Sequence, residues 1–421
     1  DKIEYHLCMS EVNNRLRLDS LLVTDVVYNY DKARCLTKTY RFRYNSFDKL
    51  PSDYLTTCVD HWGYYNGVDY YKGIGDKQNF YNYRNSNADS TALGVLTEIV
   101  YPTGGVTDFE YELNTYGKCL SNDRQSVYNA SGNGGGLRIK SIKSYDSAKK
   151  DVLLSRKDYS YNIPNTGVSS GELFATPLYY WKDWNLRCEG NNVQYHMCTF
   201  HTSSIVPLAN STGIPLGYSY VTESIKETKM PFKTMEEHVF HYSNVSDPAV
   251  RDQRFTLTFG NKDQFTPYDE WSELGFKKGL LLNEETYDGR GRKIEATGYK
   301  YRNDNYLKDS VLTSNLVYEC YGNSSQYAHY LGGVYKLYYP KYDVVAVSDT
   351  VFNSDGTTKS VTSRSYDKRD ISYRSDYLYN HEVDVRLVQS ETTRRGAFSE
   401  CYRYTFGDFN AVKGNDYVLY K

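Results

Sequence analysis

The chain of 421 residues carries 50 basic and 52 acidic side chains, a net charge of −2 and a pI near 6.5. Charges so nearly balanced argue against a nucleic-acid partner, which would favour a concentrated basic face. Mean hydropathy is −0.68, and no apolar run approaches the ~18 residues of a membrane-spanning helix. Disorder is excluded too, because disordered chains are poor in rings and this one is 16% aromatic, with 46 tyrosines.

Many of the tyrosines recur with a period of two, at Tyr28/Tyr30, Tyr81/Tyr83, Tyr159/Tyr161, Tyr218/Tyr220, Tyr299/Tyr301, Tyr377/Tyr379 and Tyr402/Tyr404. Residues i and i+2 of a strand share a face, so each pair is expected to lay two half-polar rings along one side of a sheet. Cross-strand aromatic pairs contribute roughly 0.2–1 kcal/mol each, enough in number to hold a sheet over a thin core. The fold expected is all-β: antiparallel hairpins forming a long curved sheet, a shell or solenoid segment.

In chain order, residues 1–92 read as a smaller N-terminal β unit holding the Trp62-Gly63-Tyr64-Tyr65-Asn66-Gly67 block. Pro51 to Cys58 is the one stretch there with room for a helical turn or two. Residues 93–421 read as the hairpin-repeat body. Its first hairpin is Leu93–Tyr101 with Val106–Leu113, reversed at Pro102-Thr103-Gly104-Gly105. The second is Leu137–Asp146 with Val152–Tyr161. Leu280–Tyr287 with Lys293–Tyr301 makes the third, and Val344–Phe352 with Thr357–Tyr366 the fourth. The last three share a spacing of fourteen from one aromatic to the next: Tyr145 to Tyr159, Tyr287 to Tyr301, Phe352 to Tyr366. Equal lengths are expected when each hairpin packs on the one before. Irregular segments are expected at 118–136, which holds Gly132 and Gly134 to Gly136, and at 176–211, 246–272 and 322–333.

Signals for chemistry are sparse. The eight cysteines include no C-x-x-C, so neither a zinc ribbon nor a redox pair is indicated; Cys188 and Cys198 are the local disulfide candidates. His196, Cys198 and His201 fall within six residues, but on a strand His201 points away from the other two. Glu236-Glu237-His238-Val239-Phe240-His241 has the wrong order for a zincin helix and reads as a strand edge. No Gly-x-Ser-x-Gly occurs, and nothing selects a glycosidase pair among 52 carboxylates. No catalytic residue, metal or cofactor is assigned. Ligand-binding candidates are the ring clusters Trp62, Tyr64 and Tyr65, and Tyr180, Trp181 and Trp184. Flat rings beside Asn, Asp and Lys suit a sugar face or a peptide strand, while packing across strands is the plainer use.

Thr286-Tyr287-Asp288-Gly289-Arg290-Gly291-Arg292-Lys293-Ile294 resembles the YD repeat of RHS-type proteins, with degenerate copies at Ser144-Tyr145-Asp146 and Ser365-Tyr366-Asp367. Longer blocks resemble the large exported YD-repeat/RHS-like proteins of Bacteroidota. These are Arg15 to Leu21, Asp60 to Gly67, Thr97 to Gly105 with Phe109 to Glu112, Gly135 to Ile139, and Pro267 to Glu270 with Lys278 to Leu281. The resemblance implies a non-enzymatic β-shell segment, which in the best-understood members encloses a toxic C-terminal cargo. Self-cleaving members carry Asp-Pro-x-Gly; here Asp247-Pro248-Ala249-Val250 lacks the glycine, so the chain reads as an N-terminal, degenerate-repeat part. Strand character persisting to Asp416–Lys421 also suggests a fragment. The expected partners are further repeats or a cargo domain of the same protein, or a protein at the sheet edge. Expected localisation is exported, at the cell surface or beyond, including an outer-membrane lipoprotein. The alternative is an adhesin or glycan- or protein-binding module using the ring clusters, with a hydrolase in the loops 176–211 or 246–272 as a third reading.

Overall fold

The computed structural model describes residues 2–29, 32–187, 194–210, 213–254, 271–302, 310–320, 328–338, 343–353, 356–374, 380–395 and 398–403. Its strands open with β1 (Lys2–Val12), β2 (Arg15–Asn29), β3 (Lys32–Tyr44), β4 (Leu96–Val100), β5 (Val106–Leu120), β6 (Val127–Tyr145) and β7 (Leu153–Ser160). Next come β8 (Gly171–Leu173), β9 (Tyr180–Arg187), β10 (Gln194–Phe200), β11 (Leu216–Tyr218), β12 (Tyr220–Lys226) and β13 (Thr234–Tyr242). The remainder are β14 (Gln253–Arg254), β15 (Trp271–Ser272), β16 (Leu281–Asp288), β17 (Lys293–Arg302), β18 (Ser310–Cys320), β19 (Ala328–Tyr338), β20 (Asp343–Asn353), β21 (Gly356–Arg374), β22 (Asn380–Arg395) and β23 (Phe398–Arg403).

Seventeen strands join in one sheet, the all-β antiparallel wall expected from the sequence. All but β8 and β11 follow one another as a meander: β1 to β7, then β12, β13, β16, β17 and β20 to β23, each antiparallel to the last. All four predicted hairpins are present. The ladder crosses residue 92, since β3 pairs with β4.

Successive connections of a meander alternate between the two strand ends. On one border every connection is short; the other carries the short β1–β2 and β5–β6 turns as well. Along that other border the chain departs into four inserts: 45–95, 161–219, 243–280, and the segment between β17 and β20. Most of the core lies on this second border. Phe80, Leu120, Leu173, Tyr179, Val245 and Leu274 are all at most 1% exposed, and each belongs to an insert or to the end of β5 that reaches into the inserts. Wall residues are mostly half-exposed.

At four hairpins a tyrosine closes the ladder on the insert border. The β2–β3 ladder ends at Ser20 opposite Arg41. Three residues on, the Tyr44 hydroxyl donates to the Leu18 carbonyl, two residues back, at 2.9 Å. The β4–β5 ladder ends at Glu98 opposite Asp108, and Tyr111 donates to Leu96. The β6–β7 ladder ends at Ser141 opposite Asp158, and Tyr161 donates to Ile139. The β16–β17 ladder ends at Asn283 opposite Gly298, and Tyr301 donates to Leu281. The last three bonds are each 2.8 Å, and the offset is the same in all four. Three of the acceptors are in turn ladder partners of a tyrosine on the preceding strand: Leu96 of Tyr44, Ile139 of Tyr111, and Leu281 of Tyr242. The bonds form a transverse seam. Each satisfies a carbonyl that the ladder's end leaves without a strand donor.

The tight-turn border explains the Tyr-Asp-Gly motif. Asp288 Oδ1 accepts from the N–H groups of Arg290 and Arg292, at 2.9 Å each, an Asx arrangement that fixes the turn. A Cβ on Gly289 would stand 2.7 Å from the Thr234 carbonyl oxygen of the neighbouring hairpin.

Several expectations are corrected. Among the described residues the Tyr-x-Tyr period is not what builds the wall. Tyr81 and Tyr83 lie on helix α1 (Lys77–Tyr83), and Ser219 separates Tyr218 on β11 from Tyr220 on β12. Of the pairs, Tyr299/Tyr301 sits wholly on one described strand. Tyr30, Tyr377, Tyr379 and Tyr404 lie outside the described residues, as do Pro267 to Glu270 and Asp416 to Lys421. Pro51 to Cys58 is not helical; among the described residues α1 and α2 (Ala88–Thr91) are the α-helices, each N-capped by a side chain, Asp76 and Asn87. The glycine run is strand, within β6, because rings lie directly on it: a Cβ on Gly136 would come 2.8 Å from Tyr64 Cζ, and one on Gly135 would strike Trp62. The 176–211 segment is likewise not wholly irregular, since it contains the β9–β10 hairpin.

Candidate functional site

The two ring clusters singled out in the sequence lie on the first two inserts, and the structure brings these inserts together. Asp60 and His61 precede Trp62 in the first insert. Asp60 is 0% exposed, and its carboxylate accepts from the Trp62 and Tyr64 N–H groups, each at 2.9 Å, and from the Ser86 hydroxyl at 2.6 Å. This folds the Trp62 block into a loop that lays Trp62 and Tyr64 on β6. His61 Nδ1 is 2.8 Å from the Tyr179 hydroxyl in the second insert, and the two rings stack at 5.7 Å. From the end of α1, Arg84 places its guanidinium 4.3 Å from the Tyr70 ring centre and 5.0 Å from that of Tyr179, and donates to the Thr202 carbonyl. Phe80 meets Tyr179 and Phe200 edge-on at 5.0 and 4.8 Å.

Burial, with the Arg84 charge adding to it, pushes the His61 imidazole down to about 4, so it is neutral near pH 7. Burial also raises the Tyr179 hydroxyl and the Asp60 carboxyl above their usual ranges. A neutral histidine beside a protonated tyrosine has the makings of an acid–base pair. Here, however, Tyr179, Phe80 and Asp60 are 0% exposed, and the hydrogen bonds of Asp60 and His61 run to neighbouring protein groups. The arrangement locks one insert to the other.

Among the predicted binding residues, Trp62 and Tyr65 are half-buried and Tyr64 is 43% exposed. Tyr180 packs against Phe200 at 4.9 Å, with Lys77 Nζ 5.7 Å from its ring centre. Trp181 and Trp184 have backbone positions on β9, opposite Thr199 and Met197; their side chains lie outside the described residues, as do Cys188 and the side chains of His196 and Cys198. Cys8, Cys35, Cys58, Cys119 and Cys401 are free thiols. Among the described residues no three metal-ligating side chains gather. His238 and His241 lie on β13 inside the sheet, His238 near Thr286 and His241 stacked on Tyr220 at 4.4 Å.

Sequence reasoning missed the residues that tie the inserts to the wall. Asp252 is 8% exposed and holds Arg124 at 3.0 Å and Lys278 at 2.9 Å. Glu172, 3% exposed, accepts from the Ser246 N–H at 2.8 Å and from the Ser219 hydroxyl at 3.2 Å. Arg138 lies between the Tyr161 and Tyr218 rings, 4.5 and 5.2 Å from their centres, and pairs with Glu112 at 2.7 Å. Their partners are remote in sequence, and no local pattern marks them.

No family model and no curated protein matches the chain. Among solved structures, a crystal structure of TcdB2-TccC3 is similar over 75% of this chain at 10% identity, with a TM-score of 0.30; this chain covers 16% of that one. A Photorhabdus luminescens Tc holotoxin pore with a TccC3 variant aligns over 92% of this chain and 19% of its own, at 10% identity and a TM-score of 0.08. Scores this low carry no argument about fold or function. No helix among the described residues is long and apolar enough to cross a membrane.

Proposed function

We propose that the chain is a non-enzymatic structural module, a wall segment of an exported YD-repeat/RHS-like protein whose sheet encloses or presents cargo. The observation that carries the reading is the tyrosine seam. One bond geometry recurs at four hairpin ends, which is the behaviour of a repeated building unit. The Asx turn at Tyr287-Asp288-Gly289 supplies the second half of that unit. The polar clusters support the same reading, since their charges bind insert to insert and insert to wall.

Electron microscopy of the full-length protein tests the proposal. A curved β wall continuous with this segment is expected, and a compact particle with no extended sheet overturns it. The binding alternative would rest on the exposed part of the first ring cluster, where Tyr64 is 43% exposed. It requires a glycan-array or surface-binding signal that falls on Tyr64→Ala.

A further inference from the structure

We propose that three neighbouring hairpin tips on the tight-turn border of the wall dock on an anionic lipid surface. The tips are the β6–β7, β12–β13 and β16–β17 connections, residues 146–152, 227–233 and 289–292. Strands β6, β7, β12, β13, β16 and β17 are consecutive in the sheet, so the tips stand two strands, roughly 10 Å, apart. They lie inside the wall, with β5 on one side and β20 on the other, and a strand added at either lateral edge leaves them as they are. The three hairpins share one feature. Two residues past each turn the ladder skips a residue of the second strand, and the bulged residue is apolar and exposed: Leu154 at 58%, Met235 at 56% and Ile294 at 38%. On the tips themselves Val152 is 49% and Met230 77% exposed.

Positive charge accompanies these apolar groups. The three connections hold six basic and three acidic residues, a net +3 on a chain of net −2, and Lys149, Lys229, Lys233 and Arg290 are exposed. An identical border would bring like charges together, so the partner is anionic. Area decides between an acidic polypeptide and a bilayer. The tips span roughly 20 Å and one sheet is roughly 10 Å thick. The border therefore offers on the order of 200 Å², against the roughly 800 Å² per partner of a stable protein–protein contact. A bilayer takes up projecting apolar side chains one at a time, to a depth of about 5–10 Å. The bulged residues stand roughly 7 Å behind the tips, within that depth. Each Lys or Arg drawn to an anionic surface adds about fivefold in affinity. A wall that encloses nothing has the same border, so this docking is independent of the wall-segment reading.

Co-sedimentation of the 421-residue chain with vesicles of mixed phosphatidylglycerol and phosphatidylcholine tests it, with pure phosphatidylcholine as the comparison. Binding to the mixed vesicles is expected, about tenfold or more stronger than to the neutral ones. Lys229→Gln with Lys233→Gln should weaken it about thirtyfold, and Met230→Ser about tenfold. Leu55→Ser, at an 88% exposed position on the insert border, should leave it unchanged. Circular dichroism serves as the folding control, and Met235→Ser replaces Met230→Ser if that variant fails it. The proposal is overturned by no binding to the mixed vesicles, by equal binding to the neutral ones, or by loss on Leu55→Ser. Binding that survives both sets of tip substitutions overturns it as well. Binding that falls with the lysines but ignores Met230→Ser marks a site for an acidic polypeptide and overturns it too.

Discussion

Helix α1 and strand β17 each carry a Tyr-x-Tyr pair, and the surroundings give the pairs different roles. On α1, Tyr81 turns its ring toward Tyr179 and donates from its hydroxyl to the Pro177 carbonyl, beside the fully buried Phe80. On β17, Tyr301 caps a ladder while its surroundings stay half-exposed. The inserts are held by burial, so their stability rests on a few large side chains. The wall is held laterally, by ladder bonds and, at four hairpins, a tyrosine hydroxyl, so its stability is spread thinly over many strands. Substitutions in the inserts should be costly and local, and substitutions in the wall cheap and cumulative.

Phe80→Ala tests the costly side most directly. Emptying a ring-sized site costs about 3–5 kcal/mol. In hydrogen exchange, protection should fall in 45–95 and 176–205 while β16 and β17 keep theirs. Equal loss in both regions would show that wall and inserts unfold as one unit.

Acid should separate them next. Between pH 6.5 and about 4 the unfolded chain protonates His61 and the folded chain does not, so stability is unaffected above 6.5 and declines through that window, by about 2–3 kcal/mol at its end. Arg84, Tyr81, Tyr179 and Asp60 face the imidazole or stand beside it. The two tyrosines stay protonated throughout. Asp60, raised by burial, takes up its proton earlier in the folded chain and offsets part of the loss. His61→Gln should flatten the decline in a pH series of chemical unfolding; an unchanged slope would place the acid sensitivity elsewhere.

Gly171→Ala probes the junction of the two regions. Glycine lets β8 approach the wall closely: a Cβ would strike the Thr115 carbonyl and come 3.1 Å from Tyr116 Cα. Because the obstacles are largely backbone, overpacking should cost about 1–3 kcal/mol, read from the unfolding midpoint. No change would mean that β8 is loosely docked.

The hairpins were legible because each is a local event, an alternating run broken by turn residues. The repeat was legible for the same reason. Tyr301 and Tyr366 were found at the end of the fourteen-residue spacing, and Tyr366 holds the register position of the seam, three residues past the ladder end at Ala346 opposite Ser363. The first copy was set two residues short, on Tyr159, because the seven-residue connection of β6 to β7 lengthens that hairpin and moves the seam to Tyr161. The inserts were illegible. Phe80 sits on a seven-residue helix too short to show a period, and the partners of His61, Glu172 and Asp252 lie far away in sequence. The glycines of β6 read as an irregular segment because the rings covering them come from the first insert.

The finest test uses one Tyr-x-Tyr pair against itself. Tyr301→Phe keeps the ring and removes the donor to the Leu281 carbonyl, leaving an acceptor at the ladder end unsatisfied; the cost should be about 1 kcal/mol. Tyr299→Phe, two residues away on the same strand, ends no ladder and should cost a few tenths at most. The same change at Tyr44, Tyr111 and Tyr161 should repeat the Tyr301 value. Tyr44→Phe and Tyr301→Phe together should sum, because the sites lie on separate hairpins with no shared partner. Equal costs at 299 and 301 would mean that ring packing alone holds the hairpin. A double-variant cost well above the sum of the two single costs would mean that the seam acts as one element along the wall.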